Sequence, residues 1–121
     1  MATGFLSTHV LDTARGVPAA GIEITLYRVS GNSHKKIATM VTNDDGRTDT
    51  PILPAEKFKT GQYELIFSTG DYLRSNNLVE KDAENLFLDQ VPIRFGVDDE
   101  NAHYHVPLLI SPYGYSTCRG S

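Results

Sequence analysis

The chain has 121 residues, of which 40% are hydrophobic and 21% are charged, a composition typical of one ordinary globular domain. Its 11 basic and 15 acidic side chains give a formal net charge of −4, which argues against nucleic acid or an anionic membrane as a partner. The single cysteine, Cys118, excludes an internal disulfide framework, and no apolar run is long enough to cross a membrane. Since the N-terminus lacks the features of a signal peptide, we predict a cytoplasmic protein with one domain over residues 1–121.

Stretches in which apolar and polar residues alternate dominate the sequence. This period of two, clearest around Ile24, Leu65 and Ile93, is typical of strands with one buried face. Turn-forming residues such as Asp44-Asp45-Gly46 separate the stretches. We predict strands over 5–12, 21–30, 35–42, 46–49, 61–69, 89–98, 102–111 and 113–118. Short strands joined by turns predict an all-β sandwich or barrel.

One segment, from Asp71 to Glu84, departs from this alternation and has few β-branched residues. It predicts a short helix that begins near Asp71, whose carboxylate would cap the first turn.

The strand predicted over residues 103–110 has two faces of different character. The face expected in the core carries Tyr104, Val106, Leu108 and Ile110. The opposite face carries His103, His105, Pro107 and Leu109. A face that mixes imidazoles with proline and leucine suggests burial against another subunit beside a cleft. On the pattern alone, a solvent-exposed face with incidental histidines is an equally good interpretation.

Three side chains suggest a hydrolytic site, namely His9, Arg47 and His105. Two imidazoles that titrate near neutral pH and one permanent cation suit the hydrolysis of an amide or lactam. A neutral imidazole removes a proton from water, and a guanidinium holds the substrate and stabilises the developing oxyanion. Taken singly, each of the three is more often a surface or packing residue.

Other chemistries have weaker support. His9, His103 and His105 suggest a three-histidine zinc site, but no acidic residue or cysteine is placed to support it. Cys118 as a nucleophile and the turn 98–101 as a calcium loop are also weak candidates. The sequence has no nucleophile-elbow, P-loop or dinucleotide-binding motif.

Three stretches together resemble the 5-hydroxyisourate hydrolases of the transthyretin-like family: LSTHVLDTARGVPAAGI, NDDGRTD and HYHVPLLISPYGYSTCRGS. The resemblance covers nearly the whole chain. It implies a sandwich of two four-stranded sheets with one short helix. It also implies a homotetramer whose active sites lie in a channel where dimers meet, in agreement with the interface suggested by the face of His105 and Leu109.

The resemblance also implies roles for individual residues. His9 in the THVLDT motif and His105 before Val-Pro-Leu-Leu would activate and orient water, with the choice of base left open. Arg47 after the Asp-Gly turn would grip the substrate. The expected substrate contacts are His9, Arg47, Ser116, Cys118, Arg119 and Ser121. The implied reaction is hydrolysis of 5-hydroxyisourate to 2-oxo-4-hydroxy-4-carboxy-5-ureidoimidazoline (OHCU), with no metal and no organic cofactor.

The sequence departs from the family pattern at Cys118, where the hydrolases usually end in Tyr-Arg-Gly-Ser. A thiol in place of a phenol removes aromatic surface and a hydrogen-bonding tip, so we expect a wider site and weaker substrate binding. The alternative function is a transthyretin-like carrier of small ligands whose catalysis is weakened or lost. The presence of His9, Arg47 and His105 argues against it, because a carrier has no need of this trio.

Overall fold

In the computed structural model, which describes residues 3–120, two four-stranded sheets pack against each other around one core. The strands of the first sheet are β1 (Phe5–Asp12), β2 (Val17–Pro18), β7 (His103–Ser111) and β8 (Gly114–Thr117), in the order β2-β1-β7-β8. The strands of the second sheet are β3 (Glu23–Ser30), β4 (Ser33–Val41), β5 (Gly61–Ser68) and β6 (Gln90–Val97), in the order β4-β3-β5-β6. The prediction of an all-β sandwich is confirmed.

Alternation along the strands builds the core from both sheets. In β7, Tyr104, Val106, Leu108 and Ile110 are all buried, as their spacing predicts. The second sheet contributes its predicted apolar face, including Ile24, Leu26, Leu65, Phe67 and Val91. Full burial of one such aliphatic or aromatic side chain contributes about 1.5–3 kcal/mol, so this shared core fixes the outward direction of the alternate residues.

The pairing of β1 with β7 is parallel, whereas the other ladders are antiparallel. In this register Ser7 lies opposite His105 and His9 lies opposite Pro107. Because paired residues point to the same side of a sheet, the outward side chains of two distant segments lie next to each other.

The helix differs from the prediction. It spans Thr69–Ser75 (α1), so it begins before Asp71 and ends well short of Glu84. Asp71 lies within the first turn, and the residue at the N-cap is Ser68, whose side chain makes no capping hydrogen bond. The backbone N–H groups of Thr69 and Gly70 instead donate to the carbonyl of Asp89, at 3.1 and 3.0 Å. A backbone carbonyl from a distant loop therefore accepts the hydrogen bonds that a capping carboxylate was expected to accept.

The strand predicted over 46–49 is wrong, because this segment forms a turn followed by an isolated bridge between Arg47 and His9. The side-chain oxygen of Asn43 accepts hydrogen bonds from the backbone N–H groups of Asp45 and Arg47. Gly46 has a φ of +76°, and a Cβ there would lie 2.4 Å from the carbonyl oxygen of Val10. This close approach of the turn to β1 delivers Arg47 to the outer face of the first sheet.

The two-residue strand β2 was not predicted; it pairs with the end of β1, where Leu11 lies opposite Pro18. No helix formed by residues 3–120 is long and apolar enough to cross a membrane.

Candidate active site

His9, Arg47 and His105 lie together on the outer face of the first sheet. The rings of His9 and His105 have centroids 6.4 Å apart, and the backbone of Arg47 is bridged to that of His9. Both imidazoles are half-buried, and Arg47 is exposed. Two neighbouring strands and one tight turn thus bring three residues of widely separated sequence position to one place.

The turn that carries Arg47 also fixes the ring of His9. The Nε2 atom of His9 lies 2.9 Å from the carbonyl oxygen of Asp45. A carbonyl only accepts hydrogen bonds, so Nε2 of His9 carries the hydrogen and donates it. Neutral His9 therefore presents Nδ1 as its free acceptor nitrogen.

His105 has a different partner. Its Nδ1 lies 2.8 Å from the hydroxyl oxygen of Ser7, and the same oxygen lies 2.6 Å from Nε2 of His103. The ring of His103 stacks on Phe5 with centroids 4.0 Å apart. Sequence analysis missed Ser7. Its position two residues before His9 on one strand places both on the same face, but the pairing of Ser7 with His105 follows only from the parallel register.

The opposite edge of the His105 ring faces the C-terminal segment. The backbone N–H of Gly120 donates to the carbonyl of His105 at 2.7 Å. A Cβ at Gly120 would lie 2.7 Å from Cδ2 of His105, so only glycine lets the chain pass this close. Ser7 therefore contacts one edge of the His105 ring, and Gly120 lies against the other. Nε2 of His105 has no hydrogen-bond partner among residues 3–120.

The surroundings of His105 favour its neutral form. Burial lowers the pKa of the His105 imidazole, and the positive charges of Arg47, His103 and His9 lower it further. His105 is therefore held as a neutral imidazole, able to accept a proton, at a pH where an ordinary histidine begins to be charged.

An open cleft of about 160 Å³ lies beside this group. It is lined by Ser7, Thr8, Arg47, Thr48, Asp49, Thr50 and Pro51. Its lining residues include one cation, Arg47, one carboxylate, Asp49, and four residues with hydroxyl side chains. Such a lining suits a small polar ligand with carbonyl oxygens.

The other residues expected to contact substrate lie elsewhere on the described protomer. Ser116 is paired with Leu109 and lines a separate surface depression next to Tyr115. Cys118 is exposed, and with Arg119 it lines a recess of about 190 Å³ between β6 and the segment after β8. The guanidinium carbon of Arg119 lies 3.9 Å above the ring of Tyr104 in that recess. Ser121 lies outside the described residues.

The three-histidine zinc arrangement has no counterpart in the geometry. Within residues 3–120, no three or more His, Cys, Asp or Glu side chains are grouped so that they could hold a metal ion. Nε2 of His103 and Nδ1 of His105 are instead both hydrogen-bonded to Ser7.

A family model, Transthyretin: HIUase/Transthyretin family, matches residues 6–120 of this sequence. The chain belongs to the HIUase/transthyretin family. Among curated members, the 5-hydroxyisourate hydrolase of Mesorhizobium japonicum is 58% identical over 118 residues, which cover 98% of this chain and 93% of that protein. This membership confirms the resemblance read from the three sequence stretches.

Solved structures of the family share the architecture. The 5-hydroxyisourate hydrolase of Klebsiella pneumoniae superposes with a TM-score of 0.77 at 34% identity, and the match covers 100% of both chains. An (S)-allantoin synthase superposes with a TM-score of 0.90 at 45% identity over 99% of this chain, which spans 44% of that longer chain. The prediction of a transthyretin-like sandwich with one helix is confirmed.

Proposed function

We propose that the chain hydrolyses 5-hydroxyisourate to OHCU, a step in urate degradation. The observation that carries the proposal is full-length similarity, up to 58% identity, to curated 5-hydroxyisourate hydrolases. Hydrolysis consumes only water. Water adds to a ring carbonyl carbon, the C–N bond breaks, and the hydrogens of water are divided between the new carboxyl group and the released nitrogen.

His105 is the proposed base. Its lowered pKa favours the neutral form, its Nδ1 is hydrogen-bonded to Ser7, and its Nε2 has no hydrogen-bond partner within the described chain. A base of this kind accepts a proton from water as the water oxygen attacks. His9, whose Nε2 donates to the Asp45 carbonyl, presents Nδ1 as an acceptor that orients the same water.

Arg47 is the proposed holder of the substrate and stabiliser of the oxyanion. The cationic charge in the cleft is suited to the oxygen-bearing edge of 5-hydroxyisourate. Negative charge grows on the carbonyl oxygen during attack, and a fixed guanidinium stabilises it more in the transition state than in the ground state. The proposed reaction uses no metal and no organic cofactor.

The proposed assembly is a homotetramer in which a second dimer covers the face of His105 and Leu109. The half-buried His105, Pro107 and Leu109, together with Tyr113, which is 78% exposed, favour such a cover. Ser116, Cys118, Arg119 and Ser121 would then complete the substrate contacts. Sedimentation should give the mass of four chains, and a stable monomer at micromolar concentration would contradict the shared channel. The exposed free thiol of Cys118 suits a reducing compartment, and we place the reaction in the cytoplasm.

The direct test is the decay of 5-hydroxyisourate followed by ultraviolet absorption, with a blank because this substrate also decays unaided. The purified chain should accelerate the decay, and His105→Asn should abolish most of the acceleration. His34→Asn is the matched control, because His34 is an exposed imidazole on the other sheet. Decay at the blank rate with the unmodified chain would contradict the proposed activity, and binding without turnover would indicate a carrier.

A further inference from the structure

We propose that Ser7 is a positioning residue through which the protonation of His103 shifts which ring nitrogen of His105 carries hydrogen. The proposal rests on the proposed hydrolase function, in which Nε2 of His105 must be free to accept a proton. It extends the part of Ser7, which the mechanism above uses only as the partner of Nδ1 of His105, and it brings in His103, which that mechanism does not use.

The geometry that carries this inference is one hydroxyl shared by two imidazoles. Ser7 Oγ lies 2.6 Å from Nε2 of His103 and 2.8 Å from Nδ1 of His105, and both distances are those of good hydrogen bonds. A serine hydroxyl has a single hydrogen. It can donate to at most one of the two rings, and when it donates to one it can only accept from the other.

When His103 is neutral with Nε2 unprotonated, Ser7 donates to His103. The hydroxyl oxygen then accepts the hydrogen of Nδ1 from His105. In this arrangement Nε2 of His105 carries a lone pair directed away from Ser7, and His105 is a competent base.

When His103 takes up a proton, its Nε2 becomes a donor and Ser7 no longer gives it a hydrogen. Ser7 now accepts from His103, and its own hydrogen is released to point at Nδ1 of His105. A neutral His105 that accepts this hydrogen carries its own on Nε2, so the nitrogen that faces the reaction has no lone pair. One proton on His103 thus shifts neutral His105 toward its inactive tautomer without protonating it.

Several titratable or charged groups surround His105, and among residues 3–120 His103 is the one joined to it through a shared hydrogen-bond partner. His105 is faced by His9 from β1, by His103 from its own strand and by Arg47 from the turn, and its remaining edge meets backbone at Gly120. His103 stacks on the uncharged ring of Phe5 and is exposed, so solvent protons reach it. The lowered pKa of His105, caused first by burial, keeps His105 neutral while histidines generally begin to titrate.

The first experiment reads the tautomer directly. Nitrogen-15 NMR of the intact protein should show His105 with hydrogen on Nδ1 at alkaline pH, and a change toward Nε2 as His103 becomes protonated. Ser7→Ala should remove the coupling between the two rings. An identical His105 tautomer in the unmodified chain and in Ser7→Ala at every pH would overturn the proposal.

The second experiment is the pH profile of kcat/KM. A neutral partner of similar length, His103→Gln, should move the midpoint of the acid limb to lower pH and make the limb shallower. A purely electrostatic influence of His103 predicts the opposite direction, because removing a positive neighbour makes His105 easier to protonate. A midpoint that stays in place or rises would therefore overturn the proposal.

Ser7→Ala should also lower kcat by about 10- to 100-fold, the range for groups that orient a functional histidine, with a smaller change in KM. Ser7→Thr, which restores a hydroxyl, should recover most of the rate, and its failure to do so would count against the proposal. Ser33→Ala is the control, since it removes an exposed hydroxyl at the start of β4 in the other sheet. If the unmodified chain does not hydrolyse 5-hydroxyisourate, the proposed function fails, whereas the tautomer measurement still decides the coupling.

Discussion

The outer faces of the two sheets both carry histidine and arginine side chains, but these basic groups have different partners. On the second sheet Arg94 donates to Glu64 at 3.2 Å and to His34 at 3.1 Å, and His34 lies 3.5 Å from Glu64. On the first sheet His9 and His105 are bonded to a carbonyl and a hydroxyl, and no carboxylate among residues 3–120 forms an ion pair with them or with Arg47. A carboxylate partner neutralises the basic groups on one face, and its absence leaves them available for chemistry on the other.

The most direct test of this difference is to substitute residues on both faces in parallel. Changing His9, Arg47 or His105 singly should lower turnover by about 10²- to 10⁴-fold, because in the proposed mechanism each acts on charge that develops in the transition state. The melting temperature should change little, since all three side chains point away from the core. His34→Asn and Arg94→Gln on the compensated face should leave the rate near that of the unmodified chain. Equal losses of kcat/KM on both faces would contradict the placement of the site on the first sheet.

Inside the molecule, a buried carboxylate with hydrogen-bonding partners should affect the free energy of unfolding and not turnover. Asp12, only 1% exposed, accepts hydrogen bonds from Tyr72 at 2.7 Å and from Arg15 at 2.9 Å, which ties α1 to the end of β1. Tyr72→Phe should lower the free energy of unfolding by about 1–3 kcal/mol, because a buried carboxylate loses a donor. Urea unfolding measures the change. Ser33→Ala is the control, since it removes an exposed hydroxyl from the other sheet.

The same network has a defined pH dependence. Burial alone would raise the pKa of the Asp12 carboxyl, but the hydrogen bonds from Tyr72 and Arg15 hold it below its ordinary value of 3.8. Its contribution to stability is therefore complete above about pH 4 and is lost as the pH falls through the lowered pKa. In Asp12→Asn this acid-dependent loss should be smaller. Parallel acid unfolding curves for the two proteins would contradict the assignment.

A smaller effect is expected at Cys118, which tests whether the C-terminal recess belongs to the site. Restoring the family residue with Cys118→Tyr should lower KM several-fold, since an aromatic contact is worth about 0.5–1.5 kcal/mol beyond its buried area. Steady-state kinetics measure it. Unchanged constants would indicate that position 118 does not line the substrate site.

The smallest expected effect is that of metal removal. Dialysis against a strong chelator should leave kcat/KM unchanged, because in the proposed mechanism Arg47 supplies the positive charge that a Lewis acid would otherwise provide. A loss of rate that zinc restores would instead support the three-histidine site.

The sequence predicted what depends on local periodicity. The alternation around Tyr104 and Val106 correctly assigned the two faces of β7, and the Asp-Asp-Gly motif correctly marked the turn before Arg47. The predicted start of the helix was wrong because the first N–H groups of the helix donate to the carbonyl of Asp89. That residue lies in a loop well beyond the helix in sequence. Ser7 was missed because its relation to His105 depends on a parallel pairing that no short-range pattern encodes.

That pairing also determines when the site can exist during folding. Ser7 and His105 are 98 residues apart in sequence, so the contact between them closes almost the longest loop the chain allows. We expect contacts of such long range to form late, because the entropy of the intervening chain is lost before they contribute stability. A nascent or partly folded chain thus has β1 without β7 beside it and carries no assembled pair of histidines. Catalytic competence should not appear before β7 has paired with β1, so activity requires that the first sheet is closed.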